Sequence, residues 1–173
     1  MTMSVATLLT EEEFLNLPEF PGKQELLDGE LIELPPAKHS HSELIRRLMK
    51  LLDTAVPEPR VWIETAYRLR RGRWLVPDVS VSWPDQRVED DWFQGSPMVA
   101  IEVASRGNSP EQLEQKVGAY LEHGAGEVWV IYPKTRTLVV FRQDSTVRVP
   151  AESDYRCDLI GVTVTPDFRG AVK

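Results

Sequence analysis

Residues 98–104 form an apolar run broken only by Glu102, and a strand so hydrophobic on both sides has to be covered on both faces. The segment after it is equally constraining. Ser109 supplies an N-cap, Pro110 suits the first helical position, Gln112 completes a capping box, and Gly124 stands where a helix-ending glycine belongs. On that helix Leu113, Val117, Tyr120 and Leu121 share a face, and Lys116 lies beside it, one turn from Tyr120. A doubly covered strand feeding a well-punctuated helix predicts a sheet packed between layers.

The rest of the chain supplies those layers. Thr10 and Glu13 form a capping box for a short helix that ends before Pro18. Apolar residues on both sides of Asp28-Gly29, a pair that tolerates positive φ, predict a β-hairpin over 24–34. After Pro35-Pro36, the positions Leu44, Ile45, Leu48, Met49, Leu51 and Leu52 recur at helical spacing over 40–53, and Pro57 and Pro59 end that helix. Residues 61–69 and 74–83 read as two strands joined at Arg71-Gly72-Arg73, with Val79 and Val81 on one face and Asp78, Ser80 and Ser82 on the other. Residues 84–97 are acidic and read as an irregular surface loop. Strands over 128–132 and 137–142 are joined by a turn at 133–136, and short strands around Val147 and over 160–164 finish the sheet. This order predicts one α/β (α+β) domain over residues 1–173, with a mixed β-sheet flanked by helices and an N-terminal β-hairpin.

Composition narrows the function classes. No apolar run approaches the roughly 20 residues of a membrane helix, and the N-terminus lacks a basic segment followed by an apolar one, so neither a membrane span nor a secretory signal is expected. The single Cys157 has no partner for an internal disulfide and fits a reducing cytoplasm. There is no glycine-rich phosphate loop, zinc spacing or G-x-S-x-G elbow. A net charge of −7 argues against non-specific coating of nucleic acid, although Arg68, Arg70, Arg71 and Arg73 around Gly72, and Arg46, Arg47 and Lys50, offer local cationic faces.

Acidic residues within hydrophobic strands are costly to bury unless paired or bound to a cation. Asp78 and Glu102 fall on neighbouring strands, with the helix of Lys116 packed across them. Hard oxygen donors of this kind suit Mg²⁺ or Mn²⁺, with the backbone carbonyl of Val103 as a third protein ligand. Such an ion polarises a scissile phosphate, and the Lys116 ammonium would orient the attacking water or stabilise developing charge. The residues alone also admit a bland account: Asp78 caps a turn after Pro77, Glu102 pairs with an arginine, and Lys116 snorkels from a helix flank.

The ordered set Glu25-Leu26-Leu27-Asp28-Gly29-Glu30-Leu31, His41 opening a helix, Pro77-Asp78-Val79, Ile101-Glu102-Val103-Ala104-Ser105, Lys116 with Tyr120, and Glu127-Val128-Trp129 resembles the Uma-two family of endonucleases over Thr10 to Phe168. That family is assigned to the PD-(D/E)XK nuclease superfamily. The resemblance therefore implies a restriction endonuclease-like core and divalent-metal phosphodiester hydrolysis, with Asp78 and Glu102 as metal ligands. The superfamily usually places its lysine two residues after the glutamate, where this chain has Ala104. In this family the lysine stands on the following helix, which matches Lys116. Glu25 matches an acidic position near the family's site, and His41 a polar position at the start of its second helix. Gln24 and Tyr132 depart from the family's usual tyrosine and acidic residue. By analogy with duplex-cutting enzymes, the apolar strand over 128–132 is a candidate homodimer face. Two functions follow, a Mg²⁺-dependent (or Mn²⁺-dependent) endonuclease acting on DNA, or a catalytically silent nucleic-acid- or protein-binding domain on the same fold.

Overall fold

The computed structural model describes residues 8–57 and 60–166. The N-terminal residues 1–7, Pro59 and Phe168, which entered the expectations above, lie outside them. The elements in order are α1 (Glu11–Leu15), β1 (Lys23–Leu27), β2 (Glu30–Leu34), α2 (His39–Ala55), β3 (Val61–Ile63), β4 (Tyr67–Arg70), β5 (Arg73–Leu75), β6 (Val79–Val81), β7 (Val88–Glu89), β8 (Trp92–Gln94), β9 (Val99–Val103), α3 (Pro110–Glu122), β10 (Glu127–Tyr132), β11 (Thr137–Phe141), β12 (Thr146–Val149), β13 (Tyr155–Cys157) and β14 (Val162–Val164).

Local chemistry sets most of these boundaries. Both expected capping boxes are formed, Thr10 with Glu13 and Ser109 with Gln112. β1 and β2 pair antiparallel through a turn in which Asp28 and Gly29 take φ of 54° and 90°, as their residue types favour. α3 ends at His123, whose ring nitrogen Nδ1 lies 2.8 Å from the Ala119 carbonyl, and Gly124 follows at positive φ.

The strands form two six-stranded mixed sheets and a two-stranded ribbon. The first sheet has the order β2-β1-β5-β4-β8-β7 and the second β12-β11-β10-β9-β6-β3. Side-chain alternation then divides the core. One face of the second sheet, with Val79, Val81, Ile101, Trp129 and Val140, packs on Ile45, Leu48 and Leu52 of α2 and on the β13–β14 ribbon. Its other face, with Ala100, Val128 and Val130, packs on Leu113, Val117 and Tyr120 of α3 and on Leu34, Tyr67 and Leu75 of the first sheet. All of β9 is buried, as its sequence requires. Each of these large side chains is worth roughly 1.5–3 kcal/mol of transfer free energy.

Four expectations need correction. The two long strands joined at Gly72 are each broken: β4 and β5 pair in the first sheet, while β3 and β6 pair in the second. Glu64, at φ 45°, and Pro77 make the break, because neither conformation continues a ladder. Residues 84–97 are not irregular throughout; Asp90 and Asp91, both at positive φ, turn a short hairpin whose Phe93 stacks on Tyr67 at 4.9 Å. The strand over 160–164 pairs with β13 in a separate ribbon rather than finishing the main sheet. β10 is interior, flanked by β9 and β11, so the apolar strand over 128–132 is not available as a dimer face. Among the described residues, no helix is long and apolar enough to cross a membrane.

Candidate active site

The break between β5 and β6 creates the site. Asp78 enters β6 just as that strand pairs antiparallel with β9, Val79 opposite Ile101, which brings Asp78 beside Glu102 and Val103. The Val103 N–H donates to Asp78 Oδ2 at 2.7 Å and fixes the carboxylate against the sheet. Its other oxygen, Oδ1, is ion-paired to Lys23 of β1 and lies 3.3 Å from His41 Nε2 of α2. Burial pushes the Asp78 carboxyl up, but the His41 hydrogen bond and the Lys23 charge outweigh it and hold the group well below the usual aspartate range.

Behind this carboxylate lies a second, drier cluster. Lys116 Nζ sits 2.7 Å from Glu102 Oε1 and 2.8 Å from Glu25 Oε1, and its side chain is 1% exposed. The Tyr120 hydroxyl donates to Glu102 Oε1 at 3.0 Å, and the Val76 N–H donates to Glu25 Oε1 at 2.8 Å. Glu25 Oε2 is buried with no hydrogen-bond partner among the described residues. Burial raises the Glu102 carboxyl to about 7, with Lys116 opposing the rise. Burial lowers Lys116, yet the two carboxylates raise it further, so it stays protonated. Lys116 therefore braces Glu102 from within the core.

A cleft of about 910 Å³ opens over Asp78 and Glu102. Its wall includes the first turn of α2, the Ala104–Asn108 segment and the 132–135 turn. Lys23, Lys38, Arg106 and Lys134 line it, and the last two and Lys38 are exposed with no ion pair among the described residues. The arginine clusters behave differently. Arg68 pairs with Glu11 at 2.7 Å, Arg70 and Arg73 pair with Asp28, Arg73 also with Glu122, and Arg46 and Arg47 pair with Glu43. Those faces are largely neutralised within the chain.

The family model Uma2, described as putative restriction endonuclease, matches residues 11–166. The chain belongs to the Uma2 family. A solved structure described as a putative nuclease belonging to DUF820, from Anabaena variabilis ATCC 29413, has a TM-score of 0.83 and 24% identity, covering 92% of this chain and 97% of its own. At that identity the likeness carries the fold alone. None of the curated proteins compared with the chain matches it.

In this Uma2 chain the five singled-out side chains fall in two adjoining groups, His41 with Asp78 and Glu25 with Lys116 and Glu102, which the β6–β9 pairing sets side by side. Two of them, Glu25 and Lys116, lie beneath the cleft rather than in its wall. The donor set fits a hard, hydrated divalent ion: two carboxylates from adjacent strands, with the Val103 carbonyl next in sequence, leave several coordination positions to water, as Mg²⁺ prefers. The described residues hold no ready-made group of three His, Cys, Asp or Glu ligands, so a tight all-side-chain cage is not what the site offers. Sequence reasoning missed Lys23. Its signal was present: Lys23 and Glu25, two apart on one strand, share a face, and Glu25 is fully buried. Of the two departures from the family pattern, Gln24 bonds Glu33 across the hairpin at 3.0 Å, while Tyr132 lines the cleft.

Proposed function

We propose that this chain is a cytoplasmic, divalent-metal-dependent endonuclease that hydrolyses DNA phosphodiester bonds in the cleft above Asp78 and Glu102. The observation that carries the reading is a charge arrangement. An acidic chain of net charge −7 gathers two carboxylates at a cleft floor and keeps Lys38, Arg106 and Lys134 exposed at its rim, with no ion pair among the described residues. Floor and rim together suit a bound cation and a polyanion. The first turn of α2, with no acidic residue and no side-chain cap, opens on the same cleft and favours phosphate.

Asp78, Glu102 and the Val103 carbonyl would hold Mg²⁺ or Mn²⁺. When bound, such an ion polarises the scissile phosphate and lowers the pKa of a coordinated water. Asp78 is held in its ionised form by His41 and Lys23, so it is ready to accept a cation. Lys116 acts through Glu102: the ammonium fixes the carboxylate's orientation and favours its charged form, while Tyr120 donates to the same oxygen. Glu25 in turn holds Lys116 and the strand break at Val76. The rim cations position the backbone of the substrate.

The test is cleavage of plasmid and single-stranded circular DNA with Mn²⁺ or Mg²⁺. Asp78→Asn and Glu102→Gln should each reduce cleavage on the order of a hundredfold or more, with unchanged circular dichroism. Undiminished cleavage by Asp78→Asn would overturn the assignment. One observation favours a second reading, the catalytically silent binding domain: Asp78 is already neutralised by Lys23 inside the chain. Wild-type protein that binds DNA but neither binds Mn²⁺ nor cuts would establish it.

A further inference from the structure

The Asp78 carboxylate has a cation already. Lys23 Nζ is ion-paired to Oδ1 and also lies 3.3 Å from the Val76 carbonyl, while His41 takes the remaining approach to Oδ1 and the Val103 N–H occupies Oδ2. A divalent ion on either oxygen of Asp78 would sit beside this ammonium, and two cations on one carboxylate repel strongly in a partly buried site. Lys23 is tied down only at its tip. Its side chain is 14% exposed, lines the cleft, and rides on a flexible four-carbon stem, so it can leave without moving β1. Lys116, by contrast, is sealed between Glu25 and Glu102.

We propose that Lys23 is the internal counter-ion of the metal seat: it occupies Asp78 in the metal-free protein and is displaced into the cleft when a divalent ion binds, so that it sets the site's metal affinity. This rests on the reading of Asp78 as a metal ligand. In the metal-free protein the ammonium gives the buried Asp78 carboxylate a charge partner, as Lys116 does for Glu102.

The experiment is calorimetric titration of the full chain with Mn²⁺ alone, no nucleic acid present, on wild type, Lys23→Met, Lys23→Gln and Asp78→Asn. Removing the competing cation should tighten Mn²⁺ binding by about tenfold in both Lys23 variants, a change of the size that neighbours of a metal site produce. In EDTA the same variants should melt below wild type, and Mn²⁺ should close that gap. Lys23→Gln keeps a donor for the Val76 carbonyl and serves where Lys23→Met folds poorly. Equal or weaker Mn²⁺ binding in the Lys23 variants, with binding lost in Asp78→Asn, would overturn the counter-ion role and leave the metal seat standing. Mn²⁺ binding that survives in Asp78→Asn, or is absent from wild type and variants alike, would overturn the seat and the exchange together.

Discussion

Lys116 stands where a lost partner is most expensive, because its ammonium separates two carboxylates that are both almost fully buried. Lys116→Met should cost about 3–5 kcal/mol, since it strands Glu25 and Glu102 against each other. For a chain of this size, about 2–4 °C per kcal/mol makes that a fall of more than about 6 °C in Tm. A Tm within about 2 °C of wild type would show that the cluster rearranges freely. Asp78 gives a pH signature with a defined sign. Its folded carboxyl lies below the ordinary value of 3.8, so the unfolded chain binds the proton more readily. The stability this supplies is present above pH 3.8 and is lost as pH falls below it toward the folded value. Glu102 acts in the opposite direction: its raised carboxyl withholds stability as pH climbs from the ordinary 4.5 through about 7. Metal-free melting temperatures of wild type and Asp78→Asn should therefore draw together as pH falls below 3.8; a gap that widens on acidification would contradict the depressed carboxyl.

α3 carries Lys116 and Tyr120, so its N-terminal cap bears on the site at a distance. Ser109→Ala removes the acceptor for the Gln112 N–H, 3.1 Å away, and should cost about 1 kcal/mol, or roughly 2–4 °C, in thermal melts. An unchanged Tm would mean that packing alone holds the helix. This cap was legible in the sequence because capping is a local rule, and the same holds for the Asp28-Gly29 turn and for the burial of β9. The adjacency of Asp78 and Glu102 was legible too, because two acidic breaks in apolar strands of one sheet face a common side. What escaped was decided by long-range partners. The 61–83 hairpin divides between two sheets because Tyr67 and Leu75 join the α3 side of the core while Val79 and Val81 join the α2 side; Pro77 marks one point of the break locally, but the sheet that each half joins is set by these distant partners. The β7–β8 hairpin hides in an acidic segment whose aromatic residues, Trp92 and Phe93, pack on Trp74 and Tyr67 from another part of the chain. The pairing of Lys23 with Asp78 spans 55 residues and needed the fold to appear.

Over the whole molecule, the distinction that matters is between cations spent on the chain's own carboxylates and cations left for a partner. Arg68, Arg70 and Arg73 look like the basic face in the sequence, yet Glu11, Asp28 and Glu122 hold them. Lys38, Arg106 and Lys134 are scattered in sequence, but three separate segments bring them to one cleft, and they are exposed and unpaired among the described residues. With a net charge of −7, long-range attraction for a polyanion is weak, so binding has to come from short-range phosphate contacts that salt screens. Substituting Lys38, Arg106 or Lys134 by alanine should weaken DNA binding by similar factors on unrelated sequences. Each should also reduce the slope of log affinity against log salt by about one. Arg70→Ala, on the neutralised face, should leave both affinity and slope near wild type. Fluorescence anisotropy with a labelled oligonucleotide over a salt series, with EDTA present to prevent cutting, measures both quantities. If Arg70→Ala weakened binding as much as the cleft substitutions, the polyanion would lie across the first sheet, and the cleft would have to be read as a site for a smaller phosphate ester.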